Sequence, residues 1–237
     1  MTVYVSPFAV SHKGDSSPVT EADGLAEAII LADLRLATPL IPIVAEESAS
    51  AGDIPAIDEG PFWLVDPLDG TKEFIKRNGE FTVNVGLIVD HRPVLGVVFA
   101  PALDELWIGW HAQGAREAWH WRKGQRQALR VRPVPDEGLT VLASRSHDNA
   151  DDLTHFLADH KVASLSIAGS SLKFCRVAEG VADLYPRLKP TCEWDTAAAH
   201  AVLTAAGGQV TLLDGSPFLY GKPGFLNGSF VARGALS

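Results

Sequence analysis

A short apolar run that ends in two carboxylates constrains this chain more than any other segment. The run Phe62–Val65 has the composition of a buried strand, and the segment Asp66–Thr71 (DPLDGT) follows it directly. Its proline forces extended backbone on the preceding residue, and a short helical pattern begins at Thr71. The two carboxylates suit Mg²⁺, and the free N–H groups of a helix N-terminus suit a phosphate oxygen. Taken alone, the segment is explained equally well by an ordinary Asx-Pro turn, so other acidic residues must decide.

Three further acidic positions are placed in a comparable way. Glu46 follows the apolar run Ile41–Ala45, so a carboxylate again stands at the end of a predicted strand. Asp195 lies at the start of a long helical pattern, and Asp23 lies at the start of another, where a role as a helix cap is the alternative. Carboxylates that follow apolar segments are costly to bury unless they are neutralised, and divalent cations neutralise them. The sequence therefore favours a metal site.

The charge balance excludes one broad class of function. The chain has 237 residues, of which 29 are acidic and 20 are basic, and its net charge is −9. This balance argues against a protein that binds nucleic acid polymers through cationic patches. An anionic small molecule would need metal ions or a few well-placed basic residues to be held.

Composition also indicates the setting of the protein. The 46% of hydrophobic and 21% of charged residues are typical of a soluble globular protein. Cys175 and Cys192 are too few for a disulfide framework or a zinc site, so we expect two reduced thiols. No apolar run approaches the roughly 18 residues of a membrane span, and the first residues show no signal-peptide pattern. We therefore expect a cytoplasmic protein without a transmembrane segment.

The two halves of the chain differ in pattern. The first half predicts a helix and a hairpin-rich sheet, with residues 111–137 as a surface excursion rich in Arg, Gln and Trp. The second half alternates strands and helices and contains a strong helix over Asp195–Ala206. We expect two halves, 1–137 and 138–237, that form one compact unit. The first helix is predicted from apolar residues at helical spacing, namely Leu25, Ala28, Ile29, Ala32 and Leu36.

Several segments carry a family resemblance. They are Ser17–Asp23 (SPVTEAD), Ala45–Ser48 (AEES), Trp63–Ile75 (WLVDPLDGTKEFI) and Glu193–Ala198 (EWDTAA). Together they resemble the inositol monophosphatase superfamily of Mg²⁺-dependent, Li⁺-sensitive phosphatases. Within it, Gly70–Ile75, Ser144–His147 and Gly169–Arg187 are most similar to the CysQ-type 3'(2'),5'-bisphosphate nucleotidases. The resemblance covers nearly the whole chain and implies an α+β fold, the layered αβαβα sandwich of the sugar phosphatases.

The resemblance implies a site with two or three Mg²⁺ ions. The implied ligands are Glu46, Asp66, the Leu68 carbonyl, Asp69 and Asp195, with Asp66 shared between two ions. Water would attack the phosphate directly, without a phosphoenzyme. Thr71, hydrogen-bonded to Asp23, would orient this water with help from Glu46.

The resemblance also implies the substrate contacts. The metal ligands Glu46, Leu68, Asp69 and Asp195 would reach the substrate, and the N–H groups of Gly70 and Thr71 would hold the scissile phosphate. The implied nucleotide contacts are His147, Ser170, Lys173 and Arg187. A solvated surface position is the alternative for each of these four residues, most of all for His147. Lys13 matches a basic residue of the family's N-terminal loop, although an ordinary surface lysine is the simpler interpretation.

The implied reaction removes the 3'-phosphate of adenosine 3',5'-bisphosphate to give AMP and phosphate. The resemblance also admits the 3'-phosphoadenylyl sulfate analogue, which would connect the protein with sulfate assimilation. Two alternatives stay open: an inositol or sugar monophosphatase of the same superfamily, and a non-catalytic nucleotide-binding protein. We expect a monomer or homodimer, and peripheral attachment to the inner membrane, known in some relatives, stays open.

Two features depart from the family pattern. The family places an amphipathic helix before the segment that resembles Tyr4–Lys13, and this sequence does not contain it, so we expect apolar surface to be exposed on the helix Ala22–Leu36. The Trp-rich stretch Trp107–Trp121 has no functional explanation, and surface packing or a subunit contact is expected there.

Overall fold

The structure is a computed structural model that describes residues 1–14, 18–144 and 150–235. Its helices are α1 (Thr2–Val5), α2 (Glu21–Ala37), α3 (Glu46–Ser50), α4 (Thr71–Ile75), α5 (Ala150–Leu157), α6 (Leu172–Ala178) and α7 (Ala197–Ala205), with a 3₁₀ turn at Pro223–Phe225. Within the described residues, no helix is both long and apolar enough to span a bilayer.

The first half of the chain builds a seven-stranded sheet, preceded by a small hairpin. The hairpin pairs β1 (Val10–His12) with β2 (Pro18–Thr20). The sheet contains, in spatial order, β3 (Ile43–Ala45), β4 (Phe62–Asp69), β5 (Thr82–Val89), β6 (Arg92–Ala100), β7 (Glu105–Ala112), β8 (Ala115–Arg122) and β9 (Gln125–Ala128). Only β3 and β4 run parallel in this sheet.

The second half builds a five-stranded sheet with the spatial order β11-β10-β12-β16-β14. Its strands are β10 (Leu139–Ser144), β11 (Val162–Ala168), β12 (Leu184–Arg187), β14 (Gln209–Leu212) and β16 (Phe230–Arg233). A separate pair joins β13 (Thr191–Cys192) to β15 (Leu226–Asn227). An ion pair fixes β10 to the chain after α6, because Asp183 binds the Arg132 guanidinium at 2.8 Å and accepts the Thr140 N–H at 2.7 Å.

The elements stack in five layers. Helix α2 packs on the outer face of the seven-stranded sheet, and α6 and α7 lie between the two sheets. Phe156 and Leu157 of α5 pack against Val141, Leu184 and Val231 on the far face of the five-stranded sheet. The predicted αβαβα layering is therefore confirmed.

Close packing of α7 on the first sheet depends on a row of three glycines. Gly86, Gly96 and Gly109 are direct cross-strand neighbours on β5, β6 and β7. A Cβ atom on Gly96 would lie 1.9 Å from the Ala198 carbonyl oxygen, and one on Gly109 would lie 2.4 Å from Val202 Cα. The backbone of α7 thus rests directly on the backbone of the sheet, and the start of this helix is held against β5, which pairs with the strand that carries the two carboxylates.

Helix α2 has two unlike faces. Asp23, Glu27 and Leu31 are buried at a spacing of four residues. The predicted apolar residues lie on the opposite side, where Ile29 is 66% exposed and Leu36 is 85% exposed. The exposed apolar surface expected on this helix is thus present.

The prediction of a surface excursion over residues 111–137 is wrong. Strands β8 and β9 continue the sheet there, with Ala118 and His120 buried and Trp119 and Trp121 on the other face. The sequence does not show the usual alternation of apolar and polar residues along these strands, because large amphipathic side chains such as Arg, Gln and Trp can occupy either face of a strand. Trp107, for which surface packing was expected, is fully buried and stacks on His120.

Candidate functional site

A cleft of about 260 Å³ brings most of the predicted site residues together. The predicted residues that line it are Glu46, Asp69, Gly70, Thr71, Ser170, Lys173, Arg187 and Asp195. They come from the ends of β4 and β12 and the starts of α3, α4, α6 and α7, so segments distant in the sequence meet in one place. Asp23, Asp66 and Leu68 are buried. His147 lies outside the described residues.

Four carboxyl groups at the cleft act on one another electrostatically. Burial raises the pKa of Asp66 well above its ordinary value, and the charges of Glu46, Asp69 and Asp195 raise it further. Burial and the charge of Asp69 likewise raise the pKa of Asp195. Burial raises the pKa of Asp69 to about 6, although Lys173 and Ser171 oppose the rise. Such a cluster of oxygen donors, short of positive charge, fits a hard divalent cation.

The turn between the two aspartates of β4 positions Asp66. The backbone N–H of Leu68 donates to Asp66 Oδ1 at 2.9 Å, and the pairing of β4 with β5 is irregular between Asp66 and Asp69. The ordinary turn that the sequence allowed is therefore present. It does not compete with a site, because it holds one carboxylate of the cluster in place.

Asp23 combines a structural role with a contact to the cleft. Its Oδ2 atom accepts the N–H of Thr20 at 2.8 Å and the hydroxyl of Thr20 at 2.7 Å, which forms a capping box at the start of α2. Its Oδ1 atom accepts the Thr71 hydroxyl at 3.4 Å. The two interpretations of Asp23 from the sequence thus describe different oxygen atoms of one carboxylate.

Lys13 is not an ordinary surface lysine. Its ammonium group lies 2.7 Å from Glu46 Oε1 and 2.6 Å from Glu47 Oε1. Burial lowers the pKa of Lys13, but the two carboxylates outweigh burial and raise it above its ordinary value. A positive charge of the protein therefore lies on Glu46, one of the four clustered acids.

The predicted nucleotide contacts Lys173 and Arg187 are buried rather than solvated. Lys173 Nζ donates to the Ser170 carbonyl at 2.7 Å and lies 5.1 Å from the centre of the Tyr185 ring. Arg187 Nη1 donates to Ser144 Oγ at 2.9 Å, and its other donors reach two backbone carbonyls. Three of the five guanidinium N–H groups are thereby used, which leaves two for an anion in the cleft.

Sequence reasoning missed several supporting residues. Ser171 Oγ lies 3.1 Å from Asp69 Oδ2 and 2.8 Å from the Asp195 carbonyl oxygen, and it accepts the side-chain amide of Asn84 at 2.9 Å. Glu27 accepts the N–H groups at the start of α3 and so positions the helix that carries Glu46. The spacing of Asp23, Glu27 and Leu31 could have revealed this role for Glu27.

A second group of acidic and histidine side chains lies away from the cleft. Glu105, His120 and Glu179 offer ligand atoms within 4.8 Å of one another. Arg176 Nη1 lies 3.3 Å from Glu105 and 2.9 Å from Glu179, and Arg122 Nε lies 3.1 Å from Glu105. Two arginines already neutralise these carboxylates, so this group is less suited to a cation than the acids of the cleft.

The layered fold and the acid-lined cleft agree with a match to a known family. The model of the inositol monophosphatase family matches residues 2–236, and the chain belongs to this family. Enzymes of the family are metal-dependent.

Individual relatives agree with this assignment. The chain is 47% identical over 236 residues to the 3'(2'),5'-bisphosphate nucleotidase CysQ of Salmonella typhimurium, covering 97% of this chain and 92% of that protein. It is 46% identical over 235 residues to the protein of the same name in Escherichia coli K12, with the same coverage. The crystal structure of CysQ from Bacteroides thetaiotaomicron is similar with a TM-score of 0.78 at 34% identity, over 98% of this chain and 90% of that one.

Proposed function

We propose that this protein is a Mg²⁺-dependent 3'(2'),5'-bisphosphate nucleotidase that hydrolyses the 3'-phosphate of adenosine 3',5'-bisphosphate to AMP and phosphate. The observation that carries the proposal is the juxtaposition of two unlike regions in one cleft. Acids cluster around Asp66 in one region, and the buried cations Lys173 and Arg187 line the other. The names of the most similar relatives support the same substrate.

The chemistry of the donor set supports a metal centre. Glu46, Asp66, Asp69, Asp195 and the Leu68 carbonyl would hold the cations. When bound, divalent cations neutralise charge on a phosphate and its leaving oxygen and acidify a water molecule. Lys13 would have to give up or share Glu46 for a cation to reach that carboxylate.

The Thr71 hydroxyl is suited to orient the attacking water. Because it donates to Asp23, its oxygen lone pairs are left to accept a hydrogen bond from a water in the cleft. The hydroxyl also lies 3.4 Å from the Leu68 carbonyl oxygen, and a cation held by that carbonyl would leave Asp23, which is fixed by the capping box, as its acceptor. The N–H groups at Gly70 and Thr71, which precede the first hydrogen bond of α4, would hold the scissile phosphate.

The cationic region would hold the phosphate that is not hydrolysed. Arg187 has two N–H groups left for it, and Lys173 brings a buried positive charge. Ser170 is held beside them with φ at +38° and accepts the Thr82 hydroxyl at 3.3 Å. His147 is the fourth residue that we assign to this role, on sequence resemblance alone.

This second anion-binding region distinguishes the proposal from its alternatives. An inositol or sugar monophosphate carries one phosphate and gives no reason to bury both Lys173 and Arg187 in the cleft. A bisphosphate brings a second anionic group, which the positive charges of Lys173 and Arg187 in the cleft would attract. A non-catalytic binding protein would not need Thr71 directed by Asp23.

The test is phosphate release from adenosine 3',5'-bisphosphate and from inositol 1-phosphate, with Mg²⁺ omitted, added, and opposed by Li⁺. We expect Mg²⁺-dependent, Li⁺-inhibited release with a clear preference for the nucleotide. Asp66→Asn should abolish release while the far-UV spectrum stays unchanged, and Asp33→Asn, an exposed acid on α2, should behave as wild type. Equal or faster turnover of inositol phosphate would exclude the proposed substrate, and Mg²⁺-independent release would exclude the proposed chemistry.

A further inference from the structure

A second cavity, separate from the cleft, lies between α7 and one end of the seven-stranded sheet. Its volume is about 200 Å³. Arg92 enters it from the start of β6, His111 from the end of β7, and His200 from the middle of α7. Residues Gly215–Phe218 close another side. None of these residues takes part in the proposed hydrolysis.

The charge of this cavity is opposite to that of the protein. The chain carries 29 acidic residues, yet none of those that the structure describes lines the cavity. Across residues 1–14, 18–144 and 150–235, the Arg92 guanidinium has neither an ion pair nor a hydrogen bond. Arg92 is solvent-exposed, so an anion that bound its guanidinium would replace water and pair a charge that these residues leave unpaired.

The electrostatics of the two imidazoles agree with this description. Burial lowers the pKa of His200 to about 3, with further lowering from His111 and Arg92. Burial and the charge of Arg92 also lower the pKa of His111. No carboxylate is among the groups that shift either pKa, so each ring faces only other cationic or neutral groups.

Hydrogen bonding leaves ring nitrogens available. The Tyr220 hydroxyl donates to Thr196 Oγ1 at 3.2 Å, so His200 Nδ1, 3.0 Å from the same hydroxyl, is the donor to it. His200 Nε2 therefore stays outside this chain of hydrogen bonds. His111 Nδ1 is buried and has no hydrogen-bond partner among the described residues. A buried polar atom without a partner costs about 1–3 kcal/mol, which a ligand or water would recover.

From this geometry we infer that the cavity formed by Arg92, His111 and His200 is a binding site for a small oxyanion of the sulfate or phosphate class. Its volume of about 200 Å³ is sufficient for one tetrahedral oxyanion. A transition-metal cation on the two imidazoles is disfavoured by the neighbouring guanidinium charge. The guanidinium offers the paired donors that an oxyanion accepts, and the His111 tautomer that carries its proton on Nδ1 adds another. The neutral His200 ring presents a lone pair at Nε2, so it adds a donor only when the bound anion draws a proton onto it.

The experiment uses the full-length protein in chelator, with sodium sulfate as the probe. Sulfate that binds Lys173 and Arg187 in the cleft does not interfere, because His111 and His200 line the other cavity. Nitrogen-15 NMR spectra of the imidazoles report the binding, and the signals of His111 and His200 are assigned from His111→Gln and His200→Gln. We expect saturable shifts of these two rings among the eight histidines. In Arg92→Gln the affinity should fall at least roughly tenfold, whereas Arg35→Gln, an exposed arginine on α2, should leave it unchanged.

The result that overturns the inference is equally specific. Shifts that do not saturate, that affect all histidines alike, or that persist with equal affinity in Arg92→Gln would show that no such site exists. Selective shifts with Zn²⁺ in buffer without chelator, but none with sulfate, would assign the cavity to a cation instead. Phosphate release by Arg92→Gln should match wild type, so this test is independent of the proposed hydrolysis.

Discussion

Replacing Asp69 by asparagine should stabilise the metal-free protein, although it should inactivate the enzyme. The folded protein raises the pKa of Asp69 from 3.8 to about 6, first through burial and then through the neighbouring acids. Between these two pH values the folded state keeps a proton that the unfolded state has lost, so stability falls as the pH rises through this range. At 1.36 kcal/mol per pH unit, the full penalty above pH 6 is about 3 kcal/mol. Asparagine removes the charge and keeps an oxygen that can accept the Ser171 hydroxyl.

The assay is thermal and urea unfolding of wild type, Asp69→Asn and the surface control Asp33→Asn in chelator, at about pH 7.5 and about pH 4.5. At the higher pH the Asp69→Asn variant should exceed wild type by up to about 3 kcal/mol, which is roughly 6–12 °C in Tm for a chain of this size. Near pH 4.5 the difference should shrink, because the wild-type carboxyl is then protonated in the folded state. The control should show no pH-dependent gain.

Added Mg²⁺ should reverse this order at about pH 7.5. A cation at one thousand times its Kd stabilises the wild type by about 4.1 kcal/mol, which exceeds the penalty of about 3 kcal/mol, and the variant has lost one carboxylate of the site. The reasoning is refuted if Asp69→Asn is less stable than wild type in chelator at the higher pH. It is refuted equally by a stability gain of the same size at both pH values.

Three further predictions concern the scaffold. Gly96→Ala should destabilise the protein by more than about 3 kcal/mol or prevent folding, because the added methyl group meets the backbone of α7. Gly228→Ala should cost under about 1 kcal/mol, because nothing lies within 4 Å of its Cβ position. On α2, Leu31 is buried and Ile29 is exposed, so in urea unfolding Leu31→Ala should lower the free energy of unfolding by about 2–4 kcal/mol and Ile29→Ala should change it by less than about 0.5 kcal/mol. Similar costs at the two positions would contradict the orientation of the helix. Burial alone would raise the pKa of Asp183, but the Arg132 guanidinium bound to it lowers the pKa overall. Wild type should therefore be more stable than Asp183→Asn at neutral pH, and urea unfolding should show this advantage disappear as the pH falls through the lowered pKa.

The convergence of the acids could be predicted because local rules place each of them. Asp66 and Asp69 end a buried strand, Glu46 follows another, and Asp195 precedes a helix that is apolar on nearly all sides. Elements of this kind have few ways to pack, so their ends meet at one edge of the sheet.

The residues that sequence reasoning missed act through contacts that have no local signature. Ser171 meets Asp69 across 102 residues and Asn84 across 87, and a serine or asparagine at either position is typical of any loop or strand. The error over β8 and β9 has another origin, since their side chains are polar or amphipathic on both faces and leave no clear alternation. This segment forms strands because β8 pairs with β7 and β9 pairs with β8, and the sequence of one strand does not show which strand it pairs with.

The glycine row beneath α7 has a consequence for how the cleft can change. Main chain rests on main chain there, so no side-chain rotamer can absorb a shift of the helix relative to the strands. The spacing between Asp195 and the aspartates of β4 is therefore fixed by this backbone contact, whereas Lys13 reaches Glu46 through a long side chain that can change its rotamer. A ligand that requires a different spacing must therefore be accommodated by side chains such as Lys13, because the backbone contact between α7 and the sheet leaves no room for a shift.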